Sequence, residues 1–243
     1  GLIDNGIVNY PALTQALWRN EPQTLSGRDK TGNGLVDDVF GYDFRRNSPC
    51  VFNATHPGDR HGSVIVGIIA GRPDAESKIV TGIAPRSHVM MLGYGAGRFE
   101  AFEYALEQGA DILSLSYSLT DIQGNLRGLY RLAHEHLDAA GILSVGGAGY
   151  KSRVVPNAAG KPTVERALWG KHIVSPKDIP CVLTVGGIWR NRRPFWCTAH
   201  GPCTWDDVRF YGDRGAESPL TKPDVCGFVS GFPMWANAIE RLP

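Results

Sequence analysis

The chain lacks the features that would place it in a membrane or on a nucleic acid. No apolar run approaches the roughly 20 residues that span a bilayer, and the N-terminus has no basic region before an apolar stretch. The formal net charge is only +1, and no run of Lys and Arg is interleaved with aromatic residues. We therefore expect no membrane span and no nucleic-acid partner.

Cysteine is present but is not arranged for zinc. None of the five cysteines belongs to a C-x-x-C pair, so a zinc site is not expected. Cys197 and Cys203 flank a Gly-Pro loop, and a disulfide between them fits the sequence as well as two separate thiols do. The disulfide, together with a glycosylation triplet at Asn53-Ala54-Thr55, would go with a secreted or otherwise extracytoplasmic location.

Short apolar runs alternate with helical patterns along the chain. Strands are predicted at residues 1–4, 88–92, 111–116, 141–145 and 181–185, and helices at 63–71, 98–108 and 126–139. Near-continuous apolar strands separated by amphipathic helices predict an α/β fold with a mostly parallel central sheet and helices on both faces. The Gly/Pro-rich stretches 151–180 and 190–222 are interpreted as surface loops inside a single domain, residues 1–243. Because the chain opens directly on a strand, we expect a fragment or a processed form.

Two titratable residues stand at the ends of predicted elements. Asp4 closes the first strand in Gly1-Leu2-Ile3-Asp4-Asn5-Gly6, and His61 heads the run His61-Gly62-Ser63-Val64-Ile65-Val66. A helix without a polar face is expected at the centre of a domain, where it would hold an imidazole rigidly enough for a general base. In a parallel sheet chemistry belongs at the carboxyl ends of the strands, so Asp4 and His61 are the candidate catalytic residues.

The order of these motifs resembles that of the subtilisin-like serine proteases. Ile3-Asp4-Asn5-Gly6 is similar to the family's Asp-Ser/Thr-Gly motif, and residues 61–71 are similar to its His-Gly-Thr-His-Val-Ala-Gly helix. Four later segments resemble further landmarks in the family's order: residues 82–85, 109–116, 182–186 and 222–225. The resemblance implies a three-layer subtilisin-like fold and peptide-bond hydrolysis by an Asp-His-Ser triad.

The resemblance also implies roles for individual residues. Asp4 would accept a hydrogen bond from His61, which would take the proton from a serine hydroxyl. A peptide or protein substrate would pair with the strand edge at 114–118 and reach a pocket walled by glycines, and no cofactor would be required. The implied substrate-binding residues are Gly95, Gly97, Ser114, Leu115, Ser116, Gly146, Gly147 and Tyr150.

Two departures from the family pattern concern catalysis itself. Tyr150 stands where the family has an Asn oxyanion donor, and loss of such a donor costs about 10²–10³ in rate. The nucleophile motif Gly-Thr-Ser-Met-Ala-x-Pro occurs nowhere, and the nearest substitutes are Ser63 and Ser230. Two readings stay open. The chain is an endopeptidase domain incomplete at its C-terminal end and inactive as it stands, or it is a pseudoprotease that binds a peptide or protein partner.

The segment from Asp29 to Asp38 carries oxygen side chains at alternating positions around a Gly-Asn-Gly turn. Such spacing can wrap a hard cation, so Asp29, Asn33 and Asp37 are candidate Ca²⁺ ligands. An ordinary polar turn is the alternative, and Lys30 inside the loop favours it.

Overall fold

The structure is a computed structural model, which describes residues 1–52, 60–72, 81–94, 98–120, 122, 124–149, 152–156, 162–166 and 172–229. The helices are Pro11–Thr14 (α1), His61–Ala70 (α2), Arg98–Glu107 (α3) and Gly124–Ala139 (α4). The strands are Leu2–Asp4 (β1), Gly41–Asp43 (β2), Met91–Gly93 (β3), Ile112–Leu115 (β4), Leu143–Gly147 (β5), Ser152–Pro156 (β6), Pro162–Arg166 (β7), Leu183–Ile188 (β8) and Val225–Phe228 (β9). Within these ranges no helix is long and apolar enough to cross a bilayer.

Seven strands form one sheet in the order β2-β3-β1-β4-β5-β8-β9. The strands β1 and β2 each pair in parallel with β3, and β8 pairs in parallel with β5 and β9. The predicted α/β fold with a mostly parallel sheet is therefore confirmed. All five predicted strands are present, with ends that differ from the prediction by up to three residues.

Four short strands were not predicted from the sequence. The strands β2, β6, β7 and β9 have three to five residues and are interrupted by Gly, Pro or charged side chains, so they carry no extended apolar signal. The strands β6 and β7 pair as an antiparallel hairpin apart from the main sheet. The expectation of an uninterrupted surface loop at 151–180 is wrong for this part of it.

The described chain divides into two compact units, one from Gly1 to Ser114 and one from Leu115 to Val229. The core of the first unit joins β1, α1, one face of α2 and β3. Its fully buried members include Leu2, Leu13, Val66, Ala70 and Met91. This core fixes α2 against the strands whose carboxyl ends carry the acidic residues.

Helix α2 is only half enclosed, which differs from the expectation for a helix without a polar face. Gly62, Ser63, Val66, Gly67 and Ala70 are buried. The opposite face, residues 64, 65, 68 and 69, is partly exposed although it also contacts the core. The apolar pattern therefore identified the buried helix but not which of its faces is enclosed.

Gly62 allows α2 to approach the end of β1. A Cβ atom at Gly62 would lie 2.3 Å from the carbonyl oxygen of Gly6 and 3.3 Å from Cγ of Asp4. Real Cβ atoms do not approach backbone oxygens this closely, so a larger residue would push the helix away. The missing side chain at position 62 thus sets the spacing between Asp4 and the first turn of α2.

The second unit contains a polar cluster of two arginines and two aromatic rings. The guanidinium of Arg127 lies 3.8 Å from the centroid of the Trp205 ring, and that of Arg131 lies 3.8 Å from the Tyr211 ring. Trp205 is fully buried, although segment 190–222 was expected to be a surface loop. Cation–π contacts of this kind contribute about 0.5–2 kcal/mol each.

The same cluster decides which face of α4 is buried. Sequence periodicity places Leu126, Leu129, Tyr130, Ala133 and Leu137 on one face. Tyr130 and Leu137 are buried as expected, whereas Leu126 and Leu129 are 51% and 48% exposed. Arg131 is buried as well, because it binds Asp213 with N–O distances of 2.7 and 2.8 Å and lies on an aromatic ring. Charge pairing with distant residues therefore widens the buried face of α4 beyond the apolar pattern.

The five cysteines form no disulfide, so the possible Cys197–Cys203 bridge is absent. Burial raises the pKa of the Cys181 and Cys203 thiols to about 11 in each case. Neither is a thiolate at neutral pH, and neither is a candidate nucleophile.

We predict that Gly62→Ala destabilises the protein by about 1–3 kcal/mol, because the added methyl group collides with a backbone oxygen that cannot rotate away. Denaturant unfolding monitored by circular dichroism measures the change. The matched control is Gly212→Ala, where a Cβ atom meets nothing within 4 Å. Equal stability of the two variants would contradict the close approach.

Candidate active site

The structure brings Asp4 and His61 together at the carboxyl end of β1. Nδ1 of His61 lies 2.7 Å from Oδ2 of Asp4, while the other carboxylate oxygen accepts the backbone N–H of Asn5 at 2.7 Å. The Asp4 side chain is 1% exposed and the His61 side chain is 53% exposed. A hydrogen on Nδ1 serves the bond to the carboxylate, so Nε2 is left as the proton acceptor.

The pair is held from both sides. Asp4 is the last residue of β1, whose parallel pairing with β3 fixes its position opposite Gly93. His61 is the first residue of α2, and Gly62 keeps that turn against Gly6. The ring therefore stands on two elements anchored in the core, which is the rigidity that a general base requires.

The electrostatics favour the protonated imidazole. The hydrogen bond to Asp4 raises the pKa of His61, burial opposes the rise, and the negative charge of Asp4 adds to it. A raised folded-state pKa means that the pair stabilises the fold fully below pH 6.5, and that this contribution is lost as the pH rises through the folded-state pKa.

We predict that Asp4→Asn lowers the pKa of His61, because the largest cause of the upward shift disappears while the desolvation of the ring remains. An NMR titration of the His61 ring signals measures the change, and the signals of the other histidines are the internal control. An unchanged His61 pKa in the variant would show that the 2.7 Å contact does not exist in solution.

The nucleophile substitutes named from the sequence do not complete the site. Ser63 is fully buried, and its hydroxyl oxygen accepts the backbone N–H of Val8 at 2.8 Å. This bond makes Ser63 part of the joint between β1 and α2, out of reach of a substrate. Ser230 and Tyr150 lie outside the described residues, as do Gly95 and Gly97.

The substrate-binding residues that the structure describes lie on two strands. Ser114 and Leu115 are in β4, which has β1 and β5 as neighbours, so the edge of this strand is not free. The N–H of Ser114 is already donated to Gly1 at 2.8 Å. The expected strand edge at 114–118 is therefore limited to residues from Ser116 onward, beyond the end of β4.

Gly146 and Gly147 are in β5, and their surroundings differ. A Cβ atom at Gly147 would meet no described residue within 4 Å. A Cβ atom at Gly146 would lie 2.7 Å from Cγ of Lys177. Sequence reasoning missed Lys177, because a lysine in Ser175-Pro176-Lys177-Asp178 reads as part of an exposed turn.

The residues proposed as calcium ligands are occupied by other groups. Both carboxylate oxygens of Asp29 accept backbone N–H groups, from Gly32 and Gly34 at 2.8 Å each, and Asp37 accepts those of Ser26 and Gly27. In the part of the chain that the structure describes, no three His, Cys, Asp or Glu residues are placed to hold a metal ion. The segment forms a polar turn whose carboxylates accept backbone N–H groups, and a Ca²⁺ site there stays a prediction.

A cavity of about 400 Å³ lies elsewhere in the first unit. It is lined by Leu2, Met90 and Ile112, among others, at the amino ends of β1, β3 and β4. Asp4 stands at the opposite end of β1, so this cavity is not part of the candidate active site.

The parallel sheet, with an acid at the end of its first strand and a histidine heading the next long helix, defines a subtilisin-like α/β protein. The chain belongs to the subtilase family, since the model of that family, peptidase S8, matches residues 1–229.

Curated relatives agree with this assignment. Subtilisin-like protease 1 of Plasmodium vivax is 29% identical over 152 residues, and its Plasmodium falciparum counterpart is 27% identical over 152 residues. Each match covers 58% of this chain. It covers only 23% and 21% of the respective relatives, so the chain spans about a fifth of their length.

Solved structures bear on the fold alone. The crystal structure of a lanthipeptide protease aligns with a TM-score of 0.50 and 14% identity, covering 82% of this chain and 51% of that one. The prenylagaramide maturation protease PagA aligns with a TM-score of 0.49 and 20% identity, covering 82% and 57%.

Proposed function

We propose that this chain is the part of a subtilisin-like serine endopeptidase that supplies the acid and the base of the triad. The observation that carries the proposal is the 2.7 Å contact between His61 Nδ1 and a buried carboxylate, with the rest of the ring half exposed to solvent. A histidine with only a packing role would need neither a buried carboxylate on Nδ1 nor a solvent-exposed Nε2.

The mechanism follows from the two nitrogen atoms of His61. Asp4 accepts the Nδ1 hydrogen and so fixes the ring orientation and tautomer. Nε2 then takes the proton of a serine hydroxyl as its oxygen attacks the peptide carbonyl. The imidazolium that forms is stabilised by Asp4 and returns the proton to the leaving amine.

The substrate would be an extended peptide or protein segment. Residues 116–118 continue past the end of β4, where the backbone of Ser116 and Ser118 would pair with such a segment, whereas the Tyr117 carbonyl already accepts from Lys177. A substrate side chain would lie beside Gly147, where a Cβ atom would meet no described residue within 4 Å. Neither role requires a cofactor.

The triad route needs a serine that this chain does not carry in a recognisable motif. We infer that the route is inactive in the chain as it stands. The second candidate function, a pseudoprotease that binds peptides without cleaving them, is favoured by this one observation. The encoding sequence beyond Pro243 separates the two, because an in-frame Gly-Thr-Ser motif would supply the nucleophile.

We predict that His61→Ala leaves the cleavage of an unstructured protein substrate by this chain unchanged, because no nucleophile is delivered to His61. Gel-based digestion of reduced casein with the purified chain, the variant and a buffer blank measures this. Cleavage that falls at least tenfold in the variant would mean that a serine of this chain does reach His61.

A further inference from the structure

A buried lysine contacts an exposed serine in the second unit. Nζ of Lys177 lies 2.7 Å from the hydroxyl oxygen of Ser118 and also donates to the carbonyl oxygen of Tyr117. Lys177 is 2% exposed, whereas Ser118 is an exposed residue. The amine is therefore withdrawn from water while the hydroxyl that it contacts faces water.

The fold holds both residues from several directions. The segments that carry them are joined next to the contact, where the N–H of Leu119 donates to Ser175 at 2.8 Å. The hydroxyl of Thr184 in β8 donates to the carbonyl of Lys177 at 2.5 Å. The lysine stem lies against Gly146, where any side chain would collide with it. This is a constrained contact rather than a surface lysine that happens to rest on a serine.

The charge around Lys177 suits a proton acceptor. Burial lowers the pKa of Lys177 to about 8, with a smaller opposing effect from Asp178. Asp178 is itself engaged by Ser175 and by Arg127, each at 2.7 Å, and the Tyr117 ring centroid lies 5.9 Å from Nζ. A neutral amine there can donate one hydrogen to the Tyr117 carbonyl and turn its lone pair toward the Ser118 hydroxyl.

We propose that Ser118 and Lys177 form a serine–lysine nucleophile pair, which reacts with acyl esters and phosphonyl fluorides independently of Asp4 and His61. Ser118 is exposed, as a nucleophile that reacts with a dissolved probe must be. By contrast, Ser63, Ser144 and Ser175 are buried. Serine–lysine pairs are an established alternative to the serine–histidine arrangement. The inference does not rest on the function proposed above.

The reaction balances without any further reagent. The oxygen of Ser118 bonds to the carbonyl carbon while its proton passes to the lone pair of Lys177. The bond from that carbon to the ester oxygen breaks, and the lysine ammonium returns the proton to the departing alcohol. Water then attacks the acyl carbon on Ser118 and gives one proton to Lys177. The bond from that carbon to the Ser118 oxygen breaks, the lysine ammonium returns the proton to this oxygen, and the acid product leaves.

The test is the rate of labelling by a fluorophosphonate probe, with the modified residue identified by peptide mass mapping. We expect the label on Ser118, its loss in Ser118→Ala, and at least a tenfold slower reaction in Lys177→Met, which keeps the length of the stem without the amine. The matched control is Ser218→Ala, which removes another exposed serine of the same unit and leaves the rate unchanged.

The unmodified protein supplies a second measurement that does not depend on whether the variants fold. Because the neutral amine is the reactive form, the labelling rate rises with pH through about 8, the pKa of Lys177. A rate without an inflection near that pH, a label on a different serine, or no label at all would overturn the proposal. Label lost in His61→Ala but retained in Lys177→Met would assign the reactive serine to the Asp4–His61 pair instead.

Discussion

The candidate site depends on how closely the first turn of α2 approaches the end of β1. Gly62 leaves no side chain between them, so the carboxylate of Asp4 and the ring of His61 lie within one hydrogen bond of each other. Ser63 strengthens the same joint by accepting the N–H of Val8. Three consecutive residues therefore have three separate tasks. The first carries the imidazole, the second allows the close contact, and the third ties the helix to the chain that follows β1.

Both units combine apolar packing with buried charged groups, which in the first unit include Asp38 and Asp43. The first has an apolar core of Leu, Ile, Val and Ala side chains around α2 and its neighbouring strands. The second buries charged side chains, with Arg127 and Arg131 lying on Trp205 and Tyr211 and each paired with carboxylates. Arg127 and Asp178 are both largely buried, so removing Asp178 would leave an uncompensated charge next to α4. Lys177 belongs to this second unit, in which the basic side chain of Arg131 is also buried.

Membership of the subtilase family and possession of the complete catalytic machinery are separate matters in this chain. The family assignment covers residues 1–229, and the acid and the histidine are in place within one hydrogen bond. The chain nevertheless spans about a fifth of the curated relatives that it matches. The contact between Asp4 and His61 is formed entirely within the described residues.

The sequence alone determined the α/β class, the five main strands, and the identity of Asp4 and His61 as the candidate pair. These follow from local information, because apolar runs and a polar residue at the end of a strand are visible in the order of residues. Tertiary structure decided everything that depends on residues distant in sequence. Arg131 is buried on α4 because carboxylates and aromatic rings about 80 positions away bind the arginine. Lys177 meets Ser118, 59 positions away, because a contact of that kind is made only when the whole chain has folded.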